Sequence, residues 1–128
     1  MRKFKYTLLL LAVVGLALVA RGYWNATRDP IVRTATLNIA DWPENVPPVK
    51  VLLISDIHMT APDLPPERMS RLIDDFNALS PDLVLIAGDF YSGKRFATRR
   101  YSAAEIVAPL KRFKARYGVV TVLGNHDI

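Results

Sequence analysis

The stretch Val51-Leu-Leu-Ile-Ser-Asp-Ile-His58 leaves few folds open to this chain. Four apolar residues, Val51 to Ile54, are followed at once by Asp56 and His58. A short unbroken apolar run ending in polar turn residues is expected of a strand covered on both faces. Asp56 and His58 lie two apart, so their side chains point the same way if the extended conformation persists. The arrangement recurs twice: Leu83–Ala87 runs into Gly88-Asp89, and Val119–Leu123 runs into Gly124-Asn125-His126-Asp127. About 30 residues with helical spacing separate successive runs, long enough for crossovers between parallel strands. In open parallel sheets ligands gather outside the carboxyl ends of the strands. The reading is therefore an α/β fold that brings Asp56, His58, Asp89, Asn125, His126 and Asp127 to one edge.

The helical stretches carry their own signals. Met69, Leu72, Ile73, Phe76 and Leu79 follow helical spacing, Pro66 suits the first turn, and Ser80-Pro81 is a stop. Ser102-x-x-Glu105 is a capping-box pattern. Ile106, Leu110, Phe113 and Tyr117 then share a face, with Gly118 as a stop. Pro109 inside that stretch predicts a kink, or a helix that begins later. Thr60–Pro66 and Phe90–Arg100 read as loops, the second at the same edge as Asp89.

Upstream, residues 1–24 form a basic head (Arg2, Lys3, Lys5) and an apolar segment, Thr7–Ala20, that ends at Arg21. The uncharged run is short of the roughly 20 residues a spanning helix needs. Gly22, Tyr23 and Trp24 extend it to the interface, with Arg21 snorkelling. An uncleaved signal-anchor is the favoured reading. Export after cleavage near Gly15-Leu16-Ala17 is the rival, and a buried soluble helix is the third option. A basic head that stays in the cytoplasm puts the rest outside, although Arg21, Arg28 and Arg33 pull the other way. Residues 25–48 are a linker. Within it Thr34–Ile39 alternates like a strand with Leu37 and Ile39 inward, and Pro43, Pro47 and Pro48 make a turn or extended connector. Asn25-Ala26-Thr27 matches a glycosylation sequon, to which no weight is given. Residues 49–128 are the α/β part. At 128 residues the chain holds one small domain at most. The pattern breaks off after its third block with no helix to follow, so the expectation is a partial domain.

Formal charge is +5, with an excess in the head, in Lys94–Arg100 and in Lys111–Arg116. Such patches meet nucleic acid, anionic lipid or a phosphorylated substrate, but the default for any one is a solvated face. No aromatics interleave with the charges in a stacking pattern, so no nucleic-acid partner is expected. The chain has no cysteine, which excludes disulfides and thiolate metal sites. No Gly-x-Gly-x-x-Gly turn follows the first strand, against dinucleotide binding.

Taken singly, each candidate has an ordinary explanation. Asp56 or Asp89 can cap a loop or helix, Asn125 can form a turn, and either histidine can be a surface residue. Both of the chain's histidines nonetheless fall inside these blocks. The ordered set Asp56-Ile57-His58, Gly88-Asp89 and Gly124-Asn125-His126-Asp127 resembles the first three blocks of the calcineurin-like metallophosphoesterase family. The resemblance runs from Val49 to the end. Within the family it is similar to bacterial membrane-anchored phosphodiesterase-like members. It is unlike the protein serine/threonine phosphatases, which follow the second block with Val-Asp-Arg-Gly where this chain has Phe90-Tyr91-Ser92-Gly93.

The resemblance implies the N-terminal half of a β-sandwich flanked by helices, preceded by a transmembrane or signal helix. It implies two divalent metal ions, with Asp56 and His58 on the first, Asp89 bridging and Asn125 on the second. His126 is implied as the acid at the leaving group and Asp127 as the residue that orients it. Mixed oxygen and imidazole donors suit Mn, Fe or Zn better than Ca. Two neighbouring cations need a shared anion such as Asp89, and a histidine held by a carboxylate can protonate a leaving alkoxide. The glycines before Asp89 and Asn125 permit the sharp backbone departure such ligands require. The family's later histidine blocks have no counterpart here. The expectation is therefore a phosphoric ester hydrolase whose 128-residue piece binds metal weakly and turns over little or nothing. The substrate would be a phosphodiester, phosphomonoester or lipid-linked pyrophosphate, and the setting the bacterial inner membrane with an extracytoplasmic domain. The alternative is an inactive membrane-tethered remnant or binding protein.

Overall fold

The computed structural model describes residues Arg2–Ile128, which fall into two units, one ending at Ile31 and the other spanning Val32–Ile128. The first unit is a single helix, α1 (Arg2–Thr27). Its 26 residues rise about 39 Å at 1.5 Å each, more than the roughly 30 Å of a hydrocarbon core. The helix is thus longer than the uncharged run alone suggests, because it continues through Arg21 and the aromatic pair to Thr27. It is long and apolar enough to cross a membrane, a property that secretory signals share.

In the second unit the elements run β1 (Val51–Ile54), β2 (Thr60–Ala61), α2 (Pro66–Ala78), β3 (Leu83–Ile86), β4 (Arg99–Arg100), α3 (Ala103–Leu110) and β5 (Val119–Thr121). The main sheet is parallel in the order β1-β3-β5, with Leu53 opposite Leu85 and Leu85 opposite Val120. β2 and β4 form a separate antiparallel ribbon. The amino ends of the strands are tied by Asp82, whose carboxylate accepts from the Lys50 amide at 2.8 Å. The Asp82 carbonyl accepts from the Tyr117 amide at 2.7 Å.

One face of the sheet is buried. Val84 and Ile86 of β3 pack with Met69 and Ile73 of α2, Ile106 of α3, and Leu52 and Ile54 of β1. Full burial of each such side chain contributes about 1.5–3 kcal/mol, so this one layer dominates the unit's stability. The other face is open: Val51, Leu53 and Val120 are exposed, and every residue of β5 is exposed. The expectation that the strands are covered on both faces therefore holds for β3 more nearly than for its neighbours. α2 and α3 both contribute to the buried face.

α2 begins at Pro66, whose missing amide hydrogen costs nothing in a first turn. It buries the Met69, Leu72, Ile73 and Phe76 stripe and stops before Ser80, which has φ +52 ahead of Pro81. α3 starts at the predicted box: Ser102 Oγ accepts from the Glu105 amide, and the Glu105 carboxylate accepts from the Ser102 amide at 2.9 Å. Those bonds hold the Glu105 carboxyl below its ordinary value, the Ser102 amide contributing most and the Ser102 hydroxyl next. Pro109 does not delay α3, which begins at Ala103; it sits at the penultimate position, and the helix ends at Leu110. Its missing amide hydrogen removes one bond to the preceding turn, and Tyr117 lies beyond the helix, exposed.

Residues 34–39 form no strand. Leu37 is 84% exposed and Ile39 61%, so the alternating pattern buries neither side chain it was expected to turn inward.

Candidate metal centre

The three strand ends meet in loops whose backbone leaves the ordinary regions. Asp56, His58 and Asp89 have φ of +53, +45 and +56, and Gly88 has +86. Such left-handed residues cost about 1–3 kcal/mol each outside glycine and persist where surrounding contacts enforce them. These angles end the extended conformation after β1. Asp56 and His58 therefore do not share a strand face as period-two alternation predicts, and Ile57 between them is buried in the core.

The enforcing contacts are clearest between the loops after β3 and β5. A side chain on Gly88 would press on the Gly124 and Leu123 backbone, with Gly124 Cα at 2.8 Å from the added carbon. One on Gly124 would lie 2.6 Å from the Asp89 nitrogen. The glycines let the two loops touch backbone to backbone. Asp127 then sews them together. Its Oδ2 accepts from the amides of Asp89 (2.8 Å) and Gly124 (2.9 Å), and its Oδ1 from those of Phe90 (2.8 Å) and Tyr91 (3.1 Å). Burial by itself raises the Asp127 pKa, but the four amide hydrogen bonds, Gly124's largest, outweigh it and hold the carboxyl below its ordinary value.

That seam sets His58. The His58 and Met59 amides donate to the carbonyls of Asp89 (2.7 Å) and Phe90 (2.8 Å). His58 Nδ1 lies 2.7 Å from the Tyr91 carbonyl. A carbonyl only accepts, so this contact places a ring proton on Nδ1, and Nε2 is the nitrogen turned toward Asp89. Nε2 and Asp89 Oδ2 are 3.9 Å apart. Asp89 Oδ1 accepts from the His126 amide at 3.0 Å. The His126 ring stands edge-on to His58, with centroids 4.9 Å apart. On its other side is Gly93, where an added Cβ would lie 3.4 Å from His126 Nδ1.

His58, Asp89 and His126 each offer a donor atom within 4.8 Å of the other two. Two donors at about 2.1 Å from a shared ion lie at most about 4.2 Å apart. The separation of His58 Nε2 from Asp89 Oδ2 thus suits a common ion and is too long for a hydrogen bond. Two imidazoles and a carboxylate match the donor preferences of Zn, Mn or Fe. Of the five acidic and histidine residues read from the sequence, the fold brings these three together. Asp56 stands outside the set and is exposed; Asn125 is exposed on the turn after β5. Asp127 faces the four amides, and among the described residues no hydrogen bond joins it to the His126 ring. Sequence reasoning missed the Tyr91 carbonyl, which no residue letter encodes, and Gly93, whose only signal was a glycine soon after Asp89.

The sequence pattern of the calcineurin-like phosphoesterase family matches residues 49–128. A Caenorhabditis elegans protein named as a metallophosphoesterase is 34% identical over 95% of this chain and 24% of its own length. A Danio rerio protein named "Transmembrane protein with metallophosphoesterase domain" is 33% identical over 97% of this chain and 27% of its own. A Campylobacter jejuni protein named as an uncharacterized metallophosphoesterase is 29% identical over 91% of this chain and 29% of its own. The chain thus spans about a quarter of the length of the curated relatives it matches. No solved structure matches. With an N-terminal apolar helix ahead of a mixed α/β unit that carries all three sequence blocks, this chain belongs to the calcineurin-like metallophosphoesterase family.

Proposed function

We propose that this chain carries the first metal-ligating part of a membrane-associated hydrolase of phosphate esters. The observation that supports the reading best is the convergence of His58, Asp89 and His126 from three different strand ends. Divisions follow the sequence: residues 1–24 as anchor, 25–48 as connector and 49–128 as the phosphoesterase part. His58 Nε2 and the Asp89 carboxylate would be the primary ligands, with Asp89 shared between two divalent ions. Asp56 and Asn125 would complete the ligand set. Divalent cations so held supply Lewis acidity toward phosphoryl oxygens and an ionised water near neutral pH.

The protein groups do the rest. The Tyr91 carbonyl keeps His58 in the tautomer that can ligate. The Asp89–His126 amide bond holds the third block against the second. The His126 imidazole protonates the leaving alkoxide. Asp127 serves as a clamp on the loop rather than as the direct partner of that imidazole. The N-terminal helix sets the location, which we read as the bacterial inner membrane with the hydrolase part outside the cytoplasm. The substrate is a phosphorylated, and potentially lipid-linked, ester.

Asp89→Asn tests the reading. Asparagine keeps an oxygen for the His126 amide, so the fold survives, while the loss of charge weakens Mn or Zn binding on the order of 100-fold or more. Calorimetric titration of the wild-type and variant chains with manganese reads this. Equal affinity in the two proteins would remove Asp89 from the ligand set and the hydrolase reading with it. No metal binding by either protein would favour the tethered remnant.

A further inference from the structure

The loop that leaves the site after Tyr91 is unlike the rest of the unit. Phe96 at its tip is 92% exposed, the most exposed aromatic side chain among the described residues. Lys94, Arg95, Arg99 and Arg100 flank it, all exposed, so in this run one aromatic does interleave with the charges, contrary to the expectation from the sequence. Two of these cations are engaged. Lys94 pairs with Asp63, and Arg99 pairs with Glu105 at 2.6 Å and lies over the Tyr101 ring. Arg95 and Arg100 have no ion pair among the described residues. Beside Phe96 a recess of about 340 Å³ opens between Pro62–Asp63 and Lys94–Ala97. The loop is not a stray hairpin. Its base is fixed, because the Thr98 amide donates to the Ala61 carbonyl at 2.9 Å and Arg99–Arg100 pair with Thr60–Ala61. Its other end, Gly93, abuts the His126 ring.

A solvated loop explains the cations but not a fully presented phenylalanine between them. Burying that ring would be favourable, and a held ribbon base keeps it out. Aromatic side chains prefer the headgroup layer of a bilayer, and clustered Lys and Arg are drawn to anionic lipid. Charge complementarity and the recess beside the ring match the same surface: phosphates outside, acyl chains beneath. We infer that the Lys94–Arg100 loop docks on an anionic lipid surface, with Phe96 in the interface and Arg95 and Arg100 on lipid phosphates. The contact is separate from the α1 anchor. It presents the His58–Asp89–His126 edge to the headgroup layer, since Gly93 joins loop and site.

The absence of cysteine makes the test direct. A Phe96→Cys variant of the full chain, labelled with an environment-sensitive fluorophore, is reconstituted through α1 into phosphatidylcholine vesicles with or without phosphatidylglycerol. Ala78→Cys, exposed at the far end of α2, carries the same label as control. The expected result is a blue shift at position 96 with phosphatidylglycerol only, and none at position 78. Each cation near an anionic surface changes docking about fivefold. Arg95→Gln together with Arg100→Gln therefore lowers the docked-to-undocked ratio about 25-fold and removes most of the shift. An unchanged spectrum in both vesicles would overturn the inference, as would an equal shift in both. A shift produced by inorganic phosphate with neutral vesicles would overturn it too, by making the loop a reader of free phosphate. None of these outcomes depends on metal binding, so they leave the hydrolase reading to its own experiment.

Discussion

The β3–β5 seam and the β1 corner make an instructive pair. Both present site residues beyond a strand end, and both use left-handed backbone to do it. At the seam, two glycines meet, one carboxylate collects four amides, and the Asp89 side chain is fixed by the His126 amide. At the corner, Asp56 carries a positive φ and an exposed side chain, and the chain is next tied across at His58 and Met59, whose amides donate to the Asp89 and Phe90 carbonyls. One region has its geometry built in, while the other has the residue in place and the orientation unset.

The largest expected effect breaks the seam. Gly88→Ala forces a side chain into the Gly124 backbone at φ +86 and should cost about 3–5 kcal/mol. Gly118→Ala sits at a similar φ of +83 with open space around it, and should cost only about 1 kcal/mol. Urea denaturation of the two variants separates crowding from backbone strain. Equal losses would mean the close approach of the two loops contributes little.

Next comes Asp127→Asn. An amide side chain has one oxygen for two pairs of donors and turns its own NH₂ toward the other pair. The expected loss is about 2–3 kcal/mol. It carries a pH signature. A carboxyl whose folded pKa is depressed adds stability that is fully present above its unfolded value, near 3.8, and is lost as pH falls through the lower folded value. The gap between wild type and variant in denaturation midpoint should therefore be constant near neutrality and narrow only below about pH 4. A gap that persists at lower pH would mean the bonds do not need the charge.

The smallest effect belongs to the corner. Asp56→Asn should change stability by less than about 0.5 kcal/mol in metal-free protein, read by the same denaturation. A loss as large as at Asp127 would mean the two regions are equally tied down and the contrast drawn here is wrong.

What could be read from residues alone divides along the same line. The strands, the Met69–Phe76 stripe and the Ser102 box announce themselves because apolar spacing and caps are local physics. The parallel order followed from crossover length. The seam was legible only in part. Gly88 and Gly124 hinted at close approach, but the four amides that receive Asp127 have no letter in a sequence, so a carboxylate beside His126 was naturally read as that ring's partner. The turn at Asp56 was hidden for a related reason: period-two alternation assumes extended backbone, and tertiary bonds from Asp89 and Phe90 override it. Thr34–Ile39 shows the converse, a strand-like pattern that pairs with nothing. Pro109 shows that a breaker near a helix end leaves the turns before it in place.

The Tyr91 carbonyl has a consequence in time as well as in space. The Tyr91 amide beside it donates to Asp127, and Asp127 lies sixty-nine positions downstream of His58. A ribosome delivers His58 long before Asp127 exists, so the imidazole must wait through two crossovers with its tautomer undecided. Its surroundings are complete only once the segment after β5 has closed back on the loop after β3.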